Sequence, residues 1–176
     1  MQSETISPEA LNDVYSFENI ISMEQSLYAG ENAKIDLSKI KFINPYCAVN
    51  LLLLGKNYLK KTGGKISLIN LSPEISSYLE RMDFIKRNIF SIEPSANNKL
   101  SRSGMSKSII EITDIPGKER ESIKAITNVV ALFRKRAEFI FKSSFSENNT
   151  DNFITVISEM CQNIFEHSLD SGYVAL

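Results

Sequence analysis

The sequence predicts an α/β fold in two parts: a small parallel or mixed sheet with helices, linked to a second domain of the α+β type. Strand-like and helix-like stretches alternate between residues 33 and 84 with short turns between them, a pattern typical of a parallel sheet. A polar stretch rich in small residues then interrupts the apolar pattern, and two long helical patterns follow it. We therefore expect domains at residues 1–93 and 109–176, with a linker at 94–108.

The bulk composition is that of a globular protein and disfavours several classes of function. The 176 residues are 43% hydrophobic and 23% charged, with 20 basic and 21 acidic residues and a formal net charge of −1. That balance provides no field to attract a polyanion, so we expect no nucleic-acid partner. No apolar run is long enough to cross a membrane, and the first residues have neither the basic start nor the apolar stretch of an export signal. We expect a cytoplasmic protein without a membrane partner.

The cysteine and histidine content disfavours a metal centre. Cys47 and Cys161 are far apart in sequence, and each lies within an apolar helical pattern, as small buried thiols do. His167 is the only histidine, and the chain has no Cys-x-x-Cys pair, so a zinc site is not expected.

The first elements are predicted from short local signals. Ser7-Pro8-Glu9 predicts a helix start, with a possible serine cap, a proline in the first turn and an acid near the positive helix end. This helix is expected to carry Leu11, Val14 and Tyr15 and to extend toward Ile21. The chain should then turn through Gly30, and the stretch from Ala33, "AKIDLS", should form a short strand.

Two further helices are predicted in the first domain. Asn44-Pro45 should open one that ends at Gly63-Gly64, since glycine adopts the left-handed conformation beyond a helix end without steric cost. "KISLINL" reads as a strand, and Ser72-Pro73-Glu74 opens the second helix. The expected apolar positions are Val49, Leu52, Leu53 and Leu59 on the first helix, and Ile75, Leu79 and Met82 on the second.

The second domain is predicted to begin with a strand, "SIIEITDIP", alternating around Ile110 and Ile112. A long helix should run from about Lys118 toward Phe141, and Thr150 or Asp151 should cap a last helix. The expected apolar positions are Ile123, Ile126, Val130, Phe133 and Ala137 on the first of these helices, and Phe153, Ile157, Met160 and Ile164 on the second.

The stretch from Ala33 to Phe84 resembles the STAS domain, the fold of bacterial anti-sigma-factor antagonists. In that family a strand leads into an Asp-Ser-Ser-Gly turn and a leucine-rich helix, followed by a glycine turn, a strand and a helix that starts at Ser-Pro. The matching stretches here are "KIDLS", "AVNLLLLG", "TGGKISLI" and "LSPEI". The family's usual N-terminal hairpin is not recognisable.

This sequence departs from the family at the turn that carries its phosphorylated serine. That turn falls on Asn44, Pro45, Tyr46 and Cys47, so no serine hydroxyl is present to accept phosphate. A phosphoserine at a helix start would add up to about two negative charges, which is an effective switch. We expect a degenerate phosphoswitch turn, although Asn44 is equally explained as a turn and cap residue before proline.

Glu159, Asn163 and His167 recur at every fourth position and form one row along the last helix. Glutamate can act as a base or position water, asparagine offers an oxygen to magnesium, and histidine can approach phosphate. Such residues are also common on solvated helix faces. The row, within "EMCQNIFEHS", is similar to the N-box of the GHKL ATPase fold of histidine kinases and anti-sigma-factor kinases. That resemblance implies that Asn163 would bind the magnesium ion bridging the phosphates of ATP.

The other nucleotide-binding motifs of that family are missing. Its Asp-x-Gly-x-Gly box and glycine-rich lid would follow the next strand, whereas none of the seven glycines forms a Gly-x-Gly. We therefore expect that the chain carries only the first part of such a domain, that it binds no cofactor itself, and that ATP and magnesium belong to an intact parent protein.

Three functions remain open from the sequence. The first is a bacterial regulatory protein of the partner-switching type, which binds anti-sigma-like or kinase-like proteins and whose two domains can dock within one chain. The second is an ATP- and magnesium-binding serine kinase or ATPase in the intact parent, with Glu159 as the catalytic residue. The third is a self-associating scaffold, such as a homodimer, that pairs through an open sheet edge after Tyr173.

Overall fold

The computed structural model describes residues 4–22, 24–29, 32–93, 111–116, 119–141, 147–168 and 171–175. The chain divides into two compact units, Met1–Ser103 and Gly104–Leu176. The predicted linker, 94–108, lies outside the described residues, as do Gly30 and Ile110. No helix of the described ranges has the length and apolar character needed to cross a membrane.

The N-terminal unit is built on a four-stranded parallel sheet with the strand order β1-β2-β3-β4. Its strands are β1 Thr5–Ile6, β2 Lys34–Asp36, β3 Ser67–Ile69 and β4 Ser91–Glu93, and its helices are α1 Val14–Ser22, α2 Glu24–Ala29, α3 Pro45–Thr62 and α4 Pro73–Arg81, followed by a 3₁₀ turn at Ile85–Arg87. The mixed α/β class with a parallel sheet is therefore confirmed.

The two faces of this sheet differ in character. Ile6, Ile35 and Leu68 point into the core and are buried, whereas the residues that alternate with them are polar or partly exposed. On the polar face Glu93 binds two neighbours: Lys34 Nζ lies 3.2 Å from its Oε2, and Ser67 Oγ donates to its Oε1 at 3.0 Å. The hydrogen bond from Lys34 is the main reason why the pKa of Glu93 is lowered.

Helix α3 begins and ends where the sequence predicts. Asn44 is its N-cap, and Gly63 ends it at φ 73°, where its N–H donates to Leu59 O at 2.9 Å. Its buried face, however, differs from the predicted one: Leu52 is fully buried, but Val49, Leu53 and Leu59 are only partly buried. The helix contacts the core with Cys47, Ala48, Leu51, Leu52, Leu54, Gly55 and Tyr58.

Helix α4 confirms its prediction closely. Ser72 Oγ accepts the N–H of Ile75 at 3.3 Å, Pro73 occupies the first turn, and the helix ends at Arg81. The predicted apolar positions Ile75, Leu79 and Met82 are all buried.

The predicted helix start at Ser7-Pro8-Glu9 is wrong, because tertiary pairing uses this segment differently. Thr5 and Ile6 pair in parallel with β2, and Leu11 forms a bridge with Ile43 and is fully buried. Helix α1 starts only at Val14. The stretch before Gly30, where only a turn was expected, contains helix α2, in which Leu27 is fully buried.

The C-terminal unit pairs two long helices with a two-stranded antiparallel sheet. Its elements are β5 Thr113–Ile115, α5 Glu119–Phe141, α6 Glu147–Ser168 and β6 Gly172–Val174, and β5 pairs with β6. The core contains Ile115 from the sheet, Val129 from α5, and Ile157 and Cys161 from α6.

Two predictions for this unit are wrong. Helix α6 already begins at Glu147, so neither Thr150 nor Asp151 caps it. Asp151 instead forms an ion pair with Arg134, in which Oδ1 accepts a hydrogen bond from Nη2 at 3.0 Å. Of the predicted apolar positions of α6, Ile157 is buried as expected, but Phe153 and Met160 are 43% and 58% exposed, and Ile154 and Cys161 are buried in their place. On α5, Phe133 is buried but Ile123 is 58% exposed.

Candidate protein-recognition site

The start of helix α3 is closed by its own cap residue. Asn44 Oδ1 accepts the N–H of Cys47 at 2.7 Å, and Asn44 O accepts the N–H of Ala48 at 3.0 Å. Pro45 has no N–H to offer. Of the residues from Pro45 to Ala48, only Tyr46 has an N–H outside these bonds, so an anion could reach the Cys47 N–H as well only by displacing the Asn44 oxygen.

The same turn holds the segment before α1 in place. The backbone N–H of Asn44 donates to Leu11 O at 3.1 Å, and its side-chain Nδ2 donates to Asn12 O at 2.8 Å. Cys47 Sγ lies 3.3 Å from Asp13 O. These three contacts fix residues 11–13 against residues 44–47, and so fix where α1 begins relative to α3.

Asp13 is the cap of helix α1. Its Oδ1 accepts the backbone N–H of Ser16 at 2.7 Å and the hydroxyl of Ser16 at 2.8 Å, while its own N–H donates to Ser16 Oγ at 3.2 Å. The backbone hydrogen bond from Ser16 is the main cause of the lowered pKa of this carboxyl. The site therefore carries a negative charge at neutral pH.

Large apolar side chains are exposed on the segments that these bonds hold together. Val14 is 46% exposed, Tyr15 77%, Phe42 57% and Tyr46 43%. We call these four residues the α3 N-terminal face. Exposed aromatic side chains are enriched in protein-binding sites.

Two residues of this face pack against aromatic rings of the N-terminal unit. The Tyr46 ring stands edge-on to buried Phe17, with centroids 6.5 Å apart, and the Phe42 ring lies 6.3 Å from the Tyr78 ring. The Tyr78 hydroxyl is buried and has no hydrogen-bond partner among the described residues. Burial raises its pKa.

The structure brings all four predicted turn residues to this site but gives them different roles. Asn44 caps, Pro45 opens the helix, Cys47 is buried, and only Tyr46 is exposed. Sequence reasoning missed Val14, Tyr15, Phe42 and Tyr78, because an apolar residue beside a core strand or helix reads as a core residue.

Both predicted buried thiols are confirmed. Cys47 and Cys161 are free and fully buried, and burial is the main reason why the pKa of each thiol is raised. Neither thiol has the exposed, electropositive surroundings of a reactive cysteine.

The second predicted group lies on α6 of the C-terminal unit. Glu159, Asn163 and His167 are all exposed and follow one another along the helix surface. Val156 and Met160, which are 49% and 58% exposed, lie beside them. Within the described ranges, no three His, Cys, Asp or Glu side chains are placed to hold a metal ion. The roles suggested for the three residues stay predictions.

Comparison with protein-family models, with curated proteins and with solved structures finds no match to this chain.

Proposed function

We propose that this chain is a bacterial regulatory protein of the partner-switching type, which acts by protein–protein recognition. In this proposal the N-terminal unit is a STAS-like module, the C-terminal unit is the first part of an ATPase-like module, and the partner is an anti-sigma-like or kinase-like protein.

The observation that carries the proposal is the exposure of Tyr15, Phe42 and Tyr46 around a helix start that is already capped. Burying an aromatic side chain against a partner stabilises a complex, and a few such side chains commonly provide most of the binding free energy. Phe42 is 57% exposed and Tyr15 is 77% exposed, so both have apolar surface that a partner could bury.

The capped helix start also determines how recognition is controlled. Asn44 occupies the place where a phosphorylated side chain would act, and its oxygen already accepts the Cys47 N–H. We therefore expect binding at the α3 N-terminal face to need no phosphoserine at this turn, and control to come from the partner or from the C-terminal unit.

Quantitative affinity capture with the full chain tests this function. We expect proteins retained by the wild type to be lost with Phe42→Ser/Tyr46→Ser and kept with Ile21→Ser, a matched control in which a 46%-exposed apolar residue of α1 is changed. The proposal is contradicted when all three chains retain the same proteins. Circular dichroism of each variant checks that the fold is kept.

The exposed row on α6 favours a second function, ATP and magnesium binding by an intact parent protein. In such a parent, Asn163 would hold the metal, His167 would approach the phosphates, and Glu159 would be the base or water-positioning residue. Calorimetric titration of a chain extended at its C-terminus with ATP and magnesium tests this. Binding that disappears with Asn163→Ala but not with Asn152→Ala supports it, and no heat with the folded protein removes it.

A further inference from the structure

A groove of about 650 Å³ lies in the N-terminal unit between the edge strand β1 and the helices α1 and α2. Residues Glu4 to Ala10 form one wall, and Ser16, Asn19 and Ser26 are among those that form the other. Its floor includes the buried side chains of Ile6 and Ile20. This volume lies within the range of about 300–1,000 Å³ that is usual for binding clefts.

One wall of the groove is an open sheet edge. Among the described strands, β1 pairs with β2 alone, and Lys34 N donates to Glu4 O at 2.9 Å. In a parallel ladder the N–H and C=O of one residue point to the same side, and successive residues alternate. Since Glu4 and Ile6 face β2, the backbone N–H and C=O of Thr5 point away from it, toward the side where a further strand would pair.

The groove is acidic. Residues 1–33 contain six acidic residues and no lysine, arginine or histidine, and three of these acids, Glu4, Glu9 and Asp13, line the groove. Lys39 Nζ lies 2.7 Å from Glu9 Oε1 and compensates that one charge. Glu4 and Asp13 line the groove as well, and none of its described lining residues is a lysine, an arginine or a histidine. A ligand with positive charge fits this potential, and an anionic one does not.

We propose that this groove binds an extended, lysine- or arginine-rich segment of a protein partner, which adds to β1 as a further strand. Backbone hydrogen bonds to Thr5 give the affinity, the carboxylates of Glu4 and Asp13 select basic side chains, and the apolar floor takes the residues between them. The groove shares Tyr15 with the α3 N-terminal face, and Asp13, the cap of α1, also lines it. The inference rests on the proposed function only in assigning protein recognition to this unit.

An extended segment fits better than a helix because an open strand edge offers backbone pairing that a helix has no groups to accept. A second copy of the chain is the rival occupant, since residues 34–93 carry ten basic and five acidic residues. Binding of a second copy would make the chain dimerise as its concentration rises, whereas binding of a partner segment would not, so the test includes the oligomeric state.

Fluorescence anisotropy with the full chain and a labelled octapeptide of alternating lysine and valine tests the proposal. We expect saturable binding that weakens at higher salt, and at least about threefold weaker binding with Glu4→Lys. Glu18→Lys makes the same charge change on α1, outside the groove lining, and should bind nearly as the wild type does. The peptide with glutamate for lysine should not bind, and one with proline at alternate positions should bind weakly because it lacks backbone donors.

Equal loss with Glu4→Lys and Glu18→Lys, or equal binding of the proline peptide, would overturn the proposal. Sedimentation velocity without peptide tests whether a second copy of the chain occupies the groove. A dimer that forms in the wild type and is lost in Glu4→Lys would show that the occupant is a second copy, and this would overturn the proposal of a partner segment. Phe42→Ser/Tyr46→Ser separates this inference from the proposed function. If this double variant loses the captured partners but binds the peptide normally, the proposed function and the groove proposal are both supported. If it keeps the captured partners and binds the peptide normally, only the function assigned to the α3 N-terminal face is removed.

Discussion

At the scale of single residues, Asn44 links the two segments that form the α3 N-terminal face. Its oxygen caps α3, and its nitrogen and its backbone N–H hold Asn12 and Leu11 in place. A serine in its place would keep a capping oxygen but lose the donor to Asn12 O. This residue therefore serves the geometry of the turn in a way that a phosphorylatable side chain would not.

Replacing Asn44 by alanine should lower the free energy of unfolding by about 1–2 kcal/mol, because the helix loses its cap and Asn12 O loses a donor. Asn50→Ala is the matched control: Asn50 lies inside α3, where its Nδ2 donates to Tyr46 O, and alanine is the better helix former. Urea unfolding of both variants measures the difference. Equal stabilities would contradict the role of Asn44 as a cap.

Tyr28 should make stability fall at alkaline pH. Burial first, and then the hydrogen bond it donates to Glu24 Oε1 at 2.7 Å, raise the pKa of Tyr28 to about 12. Because the folded state favours the neutral phenol, its contribution is complete below the ordinary value of 10.0 and is lost as pH rises toward about 12.

Urea unfolding at about pH 9 and about pH 11.5 measures this loss, which should be smaller in Tyr28→Phe than in the wild type. Tyr15→Phe is the control, since Tyr15 is 77% exposed. A loss of the same size in all three proteins would show that Tyr28 is not its source.

At the scale of elements, local signals predicted those ends that local chemistry determines. Asn44-Pro45, Gly63 and Ser72-Pro73 mark real helix ends, because a cap or a left-handed glycine needs only its neighbours in sequence. Ser7-Pro8 carries the same signal and fails, since Thr5–Ile6 gains strand pairing with β2 and Leu11 gains a fully buried site. The local preference for a helix start contributes less free energy than the strand pairing or the burial of Leu11.

The faces of the helices were harder to predict than their ends. On α6 the sequence spacing fits the stripe through Phe153 and Met160 as well as the one through Ile154 and Cys161. The choice depends on where α5 and the β5–β6 sheet lie, which no local pattern encodes. The α3 N-terminal face was missed for the same reason, whereas the turn at residues 44–47 was found because its four residues form one contiguous motif.

Helix α3 packs closely against the segment before β4 at Gly55. A Cβ built there would meet the Phe90 ring and lie 2.8 Å from Ile89 Cγ2, inside the core. We expect Gly55→Ala to lower the free energy of unfolding by about 1–3 kcal/mol, despite the better helix propensity of alanine.

Gly64→Ala is the control for this prediction, since its nearest neighbour, Thr62 Oγ1, is at 3.5 Å. Thermal unfolding compares the two variants. A Gly55→Ala protein as stable as Gly64→Ala would show that α3 does not approach Phe90 this closely.

At the scale of the whole molecule, charge and apolar exposure are distributed unevenly along the chain. The first 33 residues carry six acids and no basic side chain, although the complete chain has a net charge of only −1. The balanced total, read from the sequence, therefore hides an acidic N-terminal stretch next to the exposed aromatic residues. Each of the two units has its own core, so we expect the N-terminal unit to recognise a partner through groups that it alone supplies.

The most direct test is a calorimetric titration of the purified chain with the partner that capture identifies, for wild type, Phe42→Ser/Tyr46→Ser and Ile21→Ser. We expect the aromatic double variant to bind at least about tenfold more weakly, the control to bind as the wild type does, and phosphatase treatment to leave the wild-type affinity unchanged. Undiminished binding by Phe42→Ser/Tyr46→Ser, or an affinity that phosphatase treatment changes, would contradict a constitutive recognition face at the start of α3.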